Sequence, residues 1–191
     1  MRKTFMWALP LLIALMSGCV TLSLHPLYTA DDNVFQPELL GRWTEKDDDE
    51  TWEFTKSGER QYEVVLTEKD GKRGVFEGHL VKLGGALFLD LRASPMEGDM
   101  STTWTGHLVP AHSFVRVQRL TPTPVLAPVN YKWMESLLDK SPTALRHEMV
   151  QDGSDKQVVL TASTRELQAF FAKHAANPEA FGNSLELVPK K

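Results

Sequence analysis

Tyr62-Glu63-Val64-Val65-Leu66-Thr67, then Asp70-Gly71, then Val75 to Leu83, then Gly84-Gly85, then Leu87-Phe88-Leu89-Asp90-Leu91: the fold is decided by this run. Its three apolar segments are separated by two turn dipeptides. Asp-Gly and Gly-Gly supply the positive φ that a tight two-residue hairpin needs. In the last segment Leu87, Leu89 and Leu91 share one face of a strand, with Phe88 and Asp90 on the other. The run predicts three consecutive antiparallel strands.

The same grammar continues on both sides. Upstream, Leu40 to Glu45 and Thr51 to Thr55 predict strands, and Lys56-Ser57-Gly58-Glu59 a turn. Downstream, Ser94 to Thr103 is a polar loop with Pro95 and Gly98. Thr105 to Val109 and Phe114 to Leu120 predict strands, with a bend at Pro110-Ala111-His112. Thr121-Pro122-Thr123-Pro124, with Pro128, is an extended connection. Tyr131 to Leu138 predicts a short helix, since Trp133, Met134, Leu137 and Leu138 fall on one face, and Pro142 ends it. Leu145 to Val150 and Gln157 to Leu160 form a hairpin around Asp152-Gly153. Ser163-Thr164-Arg165-Glu166 is a capping box opening the last helix, with Leu167, Phe170 and Phe171 on its buried side and Asn177-Pro178 at its end. One more short strand is expected at Leu185 to Val188.

Many short strands, tight turns and little helix predict a mainly β domain, an antiparallel meander closing into a barrel or a sandwich, with two short helices in the C-terminal half. Gly41-Arg42-Trp43 stands at the start of the first strand. That tripeptide resembles the Gly-x-Trp of lipocalins, in which Trp plugs the closed end of the barrel and Gly lets the chain come close. Gly41 and Trp43 are therefore candidate barrel-closing residues, and the domain is expected to be lipocalin-like. No later lipocalin signature follows, and the helix at Tyr131 to Leu138 is inserted among strands. Besides Trp43, the aromatic residues Trp52, Phe54, Tyr62, Phe76, Phe88 and Trp104 fall on predicted strands. They either fill the barrel or line an apolar cavity, which an eight-strand barrel just accommodates.

The N-terminus carries a different signal. Arg2 and Lys3 precede an apolar stretch, Phe5 to Leu15, which ends in Met16-Ser17-Gly18-Cys19. Basic head, short apolar middle and small residues make a secretory signal. The stretch is about half the ~20 residues needed to span a bilayer. Cys19 is the one cysteine of the chain, so no intrachain disulfide is possible. Its place directly after Ser17-Gly18 resembles the lipobox of bacterial lipoproteins. The resemblance implies cleavage between Gly18 and Cys19, with a diacylglyceryl group and an N-linked acyl chain on Cys19. Two or more chains hold a protein stably at a membrane where one does not. Val20, rather than Asp, follows the cysteine. By enterobacterial sorting rules this implies the periplasmic face of the outer membrane, with the inner membrane as the alternative. Together with His25-Pro26-Leu27-Tyr28, Leu83-Gly84-Gly85 and Phe88-Leu89-Asp90, the chain is similar to uncharacterised lipoproteins of Gram-negative bacteria, a likeness that brings no activity with it.

The expected organisation is a signal peptide over 1–18, a lipidated N-terminus and tether over 19–38, and one β-rich domain over 39–191. The tether, expected to become ordered as it meets the domain, carries Asp31-Asp32-Asn33, Pro26 and Pro37 and sustains no periodic pattern, and the apolar residues of His25-Pro26-Leu27-Tyr28 suit packing on the domain wall. Removing 1–18 leaves 173 of the 191 residues, enough for one core, and takes away Arg2 and Lys3, so the net charge of −4 becomes about −6. A mildly acidic domain is a poor partner for nucleic acid.

Catalytic and metal signatures do not emerge. The six His residues have no i, i+4 pair and no HExxH motif. No Gly-x-Ser-x-Gly is present. Asp47-Asp48-Asp49-Glu50 lacks the spaced oxygens and Gly of a calcium loop. Asp90, between Phe88 and Leu91, is a candidate buried carboxylate without a visible acid/base partner. No catalytic residue, metal or cofactor is assigned. The expected function is non-catalytic: an envelope binding or scaffolding module for an apolar small molecule or an envelope protein. The alternative is an envelope hydrolase with a site not visible in the sequence. A His and an Asp converging within hydrogen-bond reach would revive it.

Overall fold

The computed structural model describes residues 20–46, 49–94, 101–152 and 155–190, with backbone only at Trp104, Asp152 and Asp155. Its elements in chain order are β1 (Leu22–Ser23), β2 (Asn33–Val34), a 3-10 turn (Pro37–Leu39), β3 (Gly41–Glu45), β4 (Thr51–Lys56), β5 (Tyr62–Thr67), β6 (Arg73–Leu83), β7 (Ala86–Ala93), α1 (Thr102–Thr105), β8 (His112–Arg119), β9 (Val125–Pro128), α2 (Tyr131–Lys140), β10 (His147–Asp152), β11 (Asp155–Leu160), α3 (Thr164–His174), a second 3-10 turn (Pro178–Ala180) and β12 (Leu185–Pro189).

Strands β3 to β9 pair in chain order, each antiparallel to the next. β12 then pairs with both β9 and β3, which closes an eight-stranded antiparallel barrel, lipocalin-like in its single meander. The predicted hairpins set the register. Gly84 takes φ 60° between Leu83 and Ala86, which pair across the turn. Gly71 takes φ 84° at the β5–β6 turn, where Asp70 accepts from the Lys72 N–H.

Inside the barrel the alternating side chains of Phe54, Tyr62, Val64, Leu80, Leu89, Leu126 and Leu187 meet one another, each 0–1% exposed. Burial of this kind contributes about 1.5–3 kcal/mol for each large apolar side chain. The 3-10 turn ahead of β3 covers one end: Leu39 is fully buried, Phe35 stacks on Tyr62 at 4.9 Å, and the Tyr62 hydroxyl accepts from the Gln36 N–H (2.7 Å) and donates to its carbonyl (3.0 Å).

A second core lies on the outer face of β6 to β9. Val81, Phe88, Phe114 and Ala127 point outward there, covered by α2, α3 and the β10–β11 hairpin. Phe171 of α3 packs edge-on against Phe88 and Phe114 at 5.9 and 5.2 Å. The capping box predicted for α3 forms, with Ser163 and Glu166 bonded reciprocally.

Two expectations are corrected. Residues 20–38 are not a tether. β1 pairs in parallel with β11 and antiparallel with β8, β2 pairs with β6, and Leu27 is fully buried. The segment is a strap across the outer barrel wall, and the fold begins well before residue 39. Thr105 to Val109 is not a strand. The chain makes the single helical turn α1 and then runs exposed to β8, with Val109 70% exposed, because no neighbouring strand offers it a ladder.

Candidate functional site on the outer barrel wall

The cavity-forming set expected from sequence is divided by the fold. Trp43, Trp52, Phe54, Tyr62 and Phe76 belong to the barrel interior. Phe88 points to the opposite face and belongs to the second core, so it lines no barrel cavity. Trp104 lies on α1 rather than on a strand, and its side chain is outside the described residues. Gly18 and Cys19 also lie outside them. Gly41 and Trp43 stand at the covered end of the barrel. Gly41 has φ 133°, and a Cβ there would lie 3.6 Å from the Trp43 indole nitrogen, which donates to the Leu39 carbonyl at 3.0 Å. Within the interior the Trp52 indole N–H is buried without a partner.

The chemistry gathers on the outside of the barrel. The residues between the inward positions Gly78, Leu80, Leu89 and Leu91 face outward: Glu77 and His79 on β6, Asp90 and Arg92 on β7, and His112 on β8. Across the strands Glu77 pairs with Arg92, His79 with Asp90, and Arg92 with His112. The strap lies over them. Asp90 is 1% exposed; its carboxylate accepts from the Leu27 N–H at 2.6 Å and lies 2.7 Å from His112 Nδ1. Asp90 as a carboxylate can only accept, and the bond between them is then donated by His112 Nδ1. The Tyr28 ring stacks on His79 at 3.8 Å, and His79 Nε2 is 2.9 Å from Glu77 Oε1, which assigns the His79 proton to that nitrogen. His79 Nδ1 then accepts from the Asn33 amide at 3.1 Å. Arg92 reaches Glu77 at 3.8 Å, while its Nε is buried without a partner, as is Asn33 Oδ1.

The electrostatics are local. Burial, then the Glu77 and Asp90 carboxylates, push the Tyr28 phenol above its ordinary range, against the opposing pull of Arg92. Tyr28 is therefore a neutral hydroxyl at physiological pH. The strap is held from its other side as well: Gln168 of α3 donates to the Leu27 carbonyl (2.9 Å) and to Asp32 (2.6 Å), and Arg60 to the carbonyls of Ala30 and Asn33.

A carboxylate–imidazole pair is two-thirds of the arrangement that activates a serine. Ser23 of β1 is the register partner of His112. Its hydroxyl, however, donates to the His25 carbonyl at 2.7 Å and accepts from the His25 N–H, and Ser23 is fully buried. His112 Nε2 makes no hydrogen bond among the described residues. The cluster thus latches the strap to the barrel with a buried carboxylate at its centre. Among the described residues no three His, Cys, Asp or Glu side chains converge into a group fit to hold a metal ion.

Sequence reasoning named Asp90 but not its partners, although a signal was available. A two-residue turn at Gly84-Gly85 pairs Leu83 with Ala86, and counting back four residues on each strand sets His79 opposite Asp90. His112 needed the β7–β8 register, which the long 94–111 connection does not fix.

No protein-family model, curated protein or solved structure matches this chain.

Proposed function

We propose that the protein is a lipid-anchored module of the bacterial cell envelope, held through acyl chains on Cys19 at the periplasmic face of the outer membrane, that works by binding or scaffolding an envelope protein rather than by catalysis. The observation that carries the choice of partner is the interior of the barrel. A barrel that carries an apolar ligand deep inside must leave accessible surface on its central lining, whereas Tyr62, Val64, Leu80, Leu89, Leu126 and Leu187 have none, and the interior surface that stays accessible is that of partly buried residues such as Trp43, Leu66 and Phe76. Binding then belongs to the outside of the fold. The lipid anchor rests on the Ser17-Gly18-Cys19 sequence. Among the described residues no helix is long and apolar enough to cross a membrane.

Intact and native mass spectrometry of the protein from its own membrane fraction, beside a Cys19→Ala variant, tests both parts. A lipid-sized increment on a chain starting at Cys19, absent from the variant, supports the anchor; a chain cut elsewhere overturns it. A further non-covalent mass of small-molecule size retained by the folded protein overturns the filled barrel and restores the ligand carrier.

The alternative, an envelope hydrolase, is favoured by the Asp90–His112 pair with Ser23 opposite. It requires Ser23 to turn from the His25 backbone to His112. A fluorophosphonate adduct on Ser23 that disappears in His112→Ala would establish it.

A further inference from the structure

Six large apolar side chains stand out as exposed among the described residues, and five of them surround strand β1: Val20 (54%), Leu24 (42%), Leu108 (50%), Val109 (70%) and Val150 (49%). Their placement follows from strand parity. On β1 and its flanks Thr21 and Ser23 point into the fold, so Val20, Leu22 and Leu24 point out. On β11 Val158 and Leu160 point in, so Gln157 and Val159 point out; the parallel register Leu22↔Val159 and Ser23↔Leu160 puts the outward sets on one face. On β10 Met149 packs into the core, so Val150, opposite Gln157, joins that face. Leu108 and Val109 lie on the exposed run leading into β8, whose first residue, His112, meets Ser23 of β1. The sheet β10–β11–β1 therefore has one face on the second core and one apolar face turned outward.

Cys19 directly precedes Val20 in the sequence, one peptide bond from this face. Val20 is itself tied down, its carbonyl accepting from the Gln157 amide, and Leu22 is already in the sheet. No slack separates the proposed lipid from the fold. Resting on the lipid-anchor reading above, we infer that the outward face of β10–β11–β1, extended by Leu108 and Val109, lies against the bilayer, so that the domain is seated on its membrane in one orientation instead of swinging on a tether. The contact is apolar rather than ionic: Glu148 is exposed on the same face, opposite Val159, and opposes attraction to anionic lipid. A lipid bilayer is the occupant because its acyl chains enter beside Val20. A second copy of this chain would have to compete with it there.

The lipidated full-length protein, bound to phosphatidylcholine vesicles, gives the test. Cys19 is consumed by lipid, so a thiol introduced by Leu24→Cys, Val109→Cys or Val150→Cys accepts a fluorophore uniquely. Val75→Cys, exposed on β6 three strands away in the sheet order, is the control. Brominated lipid is expected to quench the first three positions and leave the fourth unchanged, with no effect of added salt. Flotation with the vesicles but equal, weak quenching at all four positions overturns the seating while leaving the anchor intact. Absence of quenching with Leu24→Cys crosslinking to its own copy gives the face to a dimer and overturns it too. Failure to float overturns the anchor, and the seating with it.

Discussion

Gly78→Ala probes the packing of the barrel interior with a single methyl group. Gly78 lies inside on β6, opposite Tyr62 and Leu91. A Cβ there would stand 2.9 Å from Val64 Cγ2, 3.5 Å from Tyr62 Cβ and 3.6 Å from Leu89 Cδ1. The first contact is too close, and Val64 is stiff about χ1, so a strand must shift. Overpacking of this kind costs about 1–3 kcal/mol. Replacing Gly also restricts the unfolded chain, which returns about 0.4–1 kcal/mol. The net expectation is a loss of about 1–2 kcal/mol, or about 2–8 °C in Tm for a domain of this size. Val64→Ala alone loses about 1.6 kcal/mol by transfer of two methylene equivalents, plus a term for the hole it leaves. In the double variant the new methyl enters that hole, so the loss should fall short of the sum by about 1 kcal/mol. Urea unfolding followed by tryptophan fluorescence measures all three, with unchanged m values as the check that only stability moved. Gly78→Ala as stable as the wild type, with additive behaviour in the double variant, would mean that the methyl met open space and would refute the filled barrel.

Other positions test the remaining structure. Tyr62→Phe strands the Gln36 N–H at the covered barrel end and removes one of the two donors to its carbonyl, which keeps the Leu39 N–H, and should cost about 1–3 kcal/mol in the same urea assay; an unchanged midpoint would show that water replaces the hydroxyl. Asp90→Ala leaves the Leu27 N–H and the His112 Nδ1–H without their acceptor, and amide exchange over 22–34 should accelerate well beyond that of the barrel strands β4 and β5. Uniform acceleration everywhere would show that the strap does not open by itself. Arg146 and then Ser163 lower the Glu166 carboxyl from 4.5 to about 2. A depressed carboxylate stabilises the fold above its ordinary value, and that contribution is lost as pH falls toward the folded value. The Tm difference between wild type and Glu166→Gln should therefore be constant above pH 4.5 and shrink as pH approaches about 2. A difference independent of pH would mean that the capping box acts without its charge.

What the sequence discloses here is whatever is written locally. Gly84-Gly85 and Asp70-Gly71 fix hairpins because the backbone conformation is specified by those residues themselves. The Ser163 to Glu166 box fixes the start of α3 for the same reason. Thr105 to Val109 shows the converse: a strand-like composition makes no strand without a partner to pair with. The strap over 20–38 could not be read from its own residues because its order comes from elsewhere, from Asp90, 63 residues beyond Leu27, no less than from Gln168 on the last helix. Phe88 illustrates a subtler limit. The alternation on β7 was correct, but both of its faces are buried, one in the barrel and one under the helices, so alternation alone could not say which face was the inside.

That double burial has a mechanical consequence for the N-terminus. Chain ends are usually the least ordered part of a domain. Here β6, β7 and β8 are clamped between two cores, and it is onto this wall that the strap is latched, through one carboxylate that serves both Leu27 and His112. The strap's other partners, Gln168 and Arg60, come from α3 and from the β4–β5 turn. Opening the segment that follows Cys19 therefore means exposing a buried aspartate and breaking contacts to three separate parts of the fold. Any pull exerted through the chain ahead of Val20 would reach the barrel through β1 rather than being absorbed by slack chain, so the position of the domain relative to the anchor proposed at Cys19 would be a property of the fold itself.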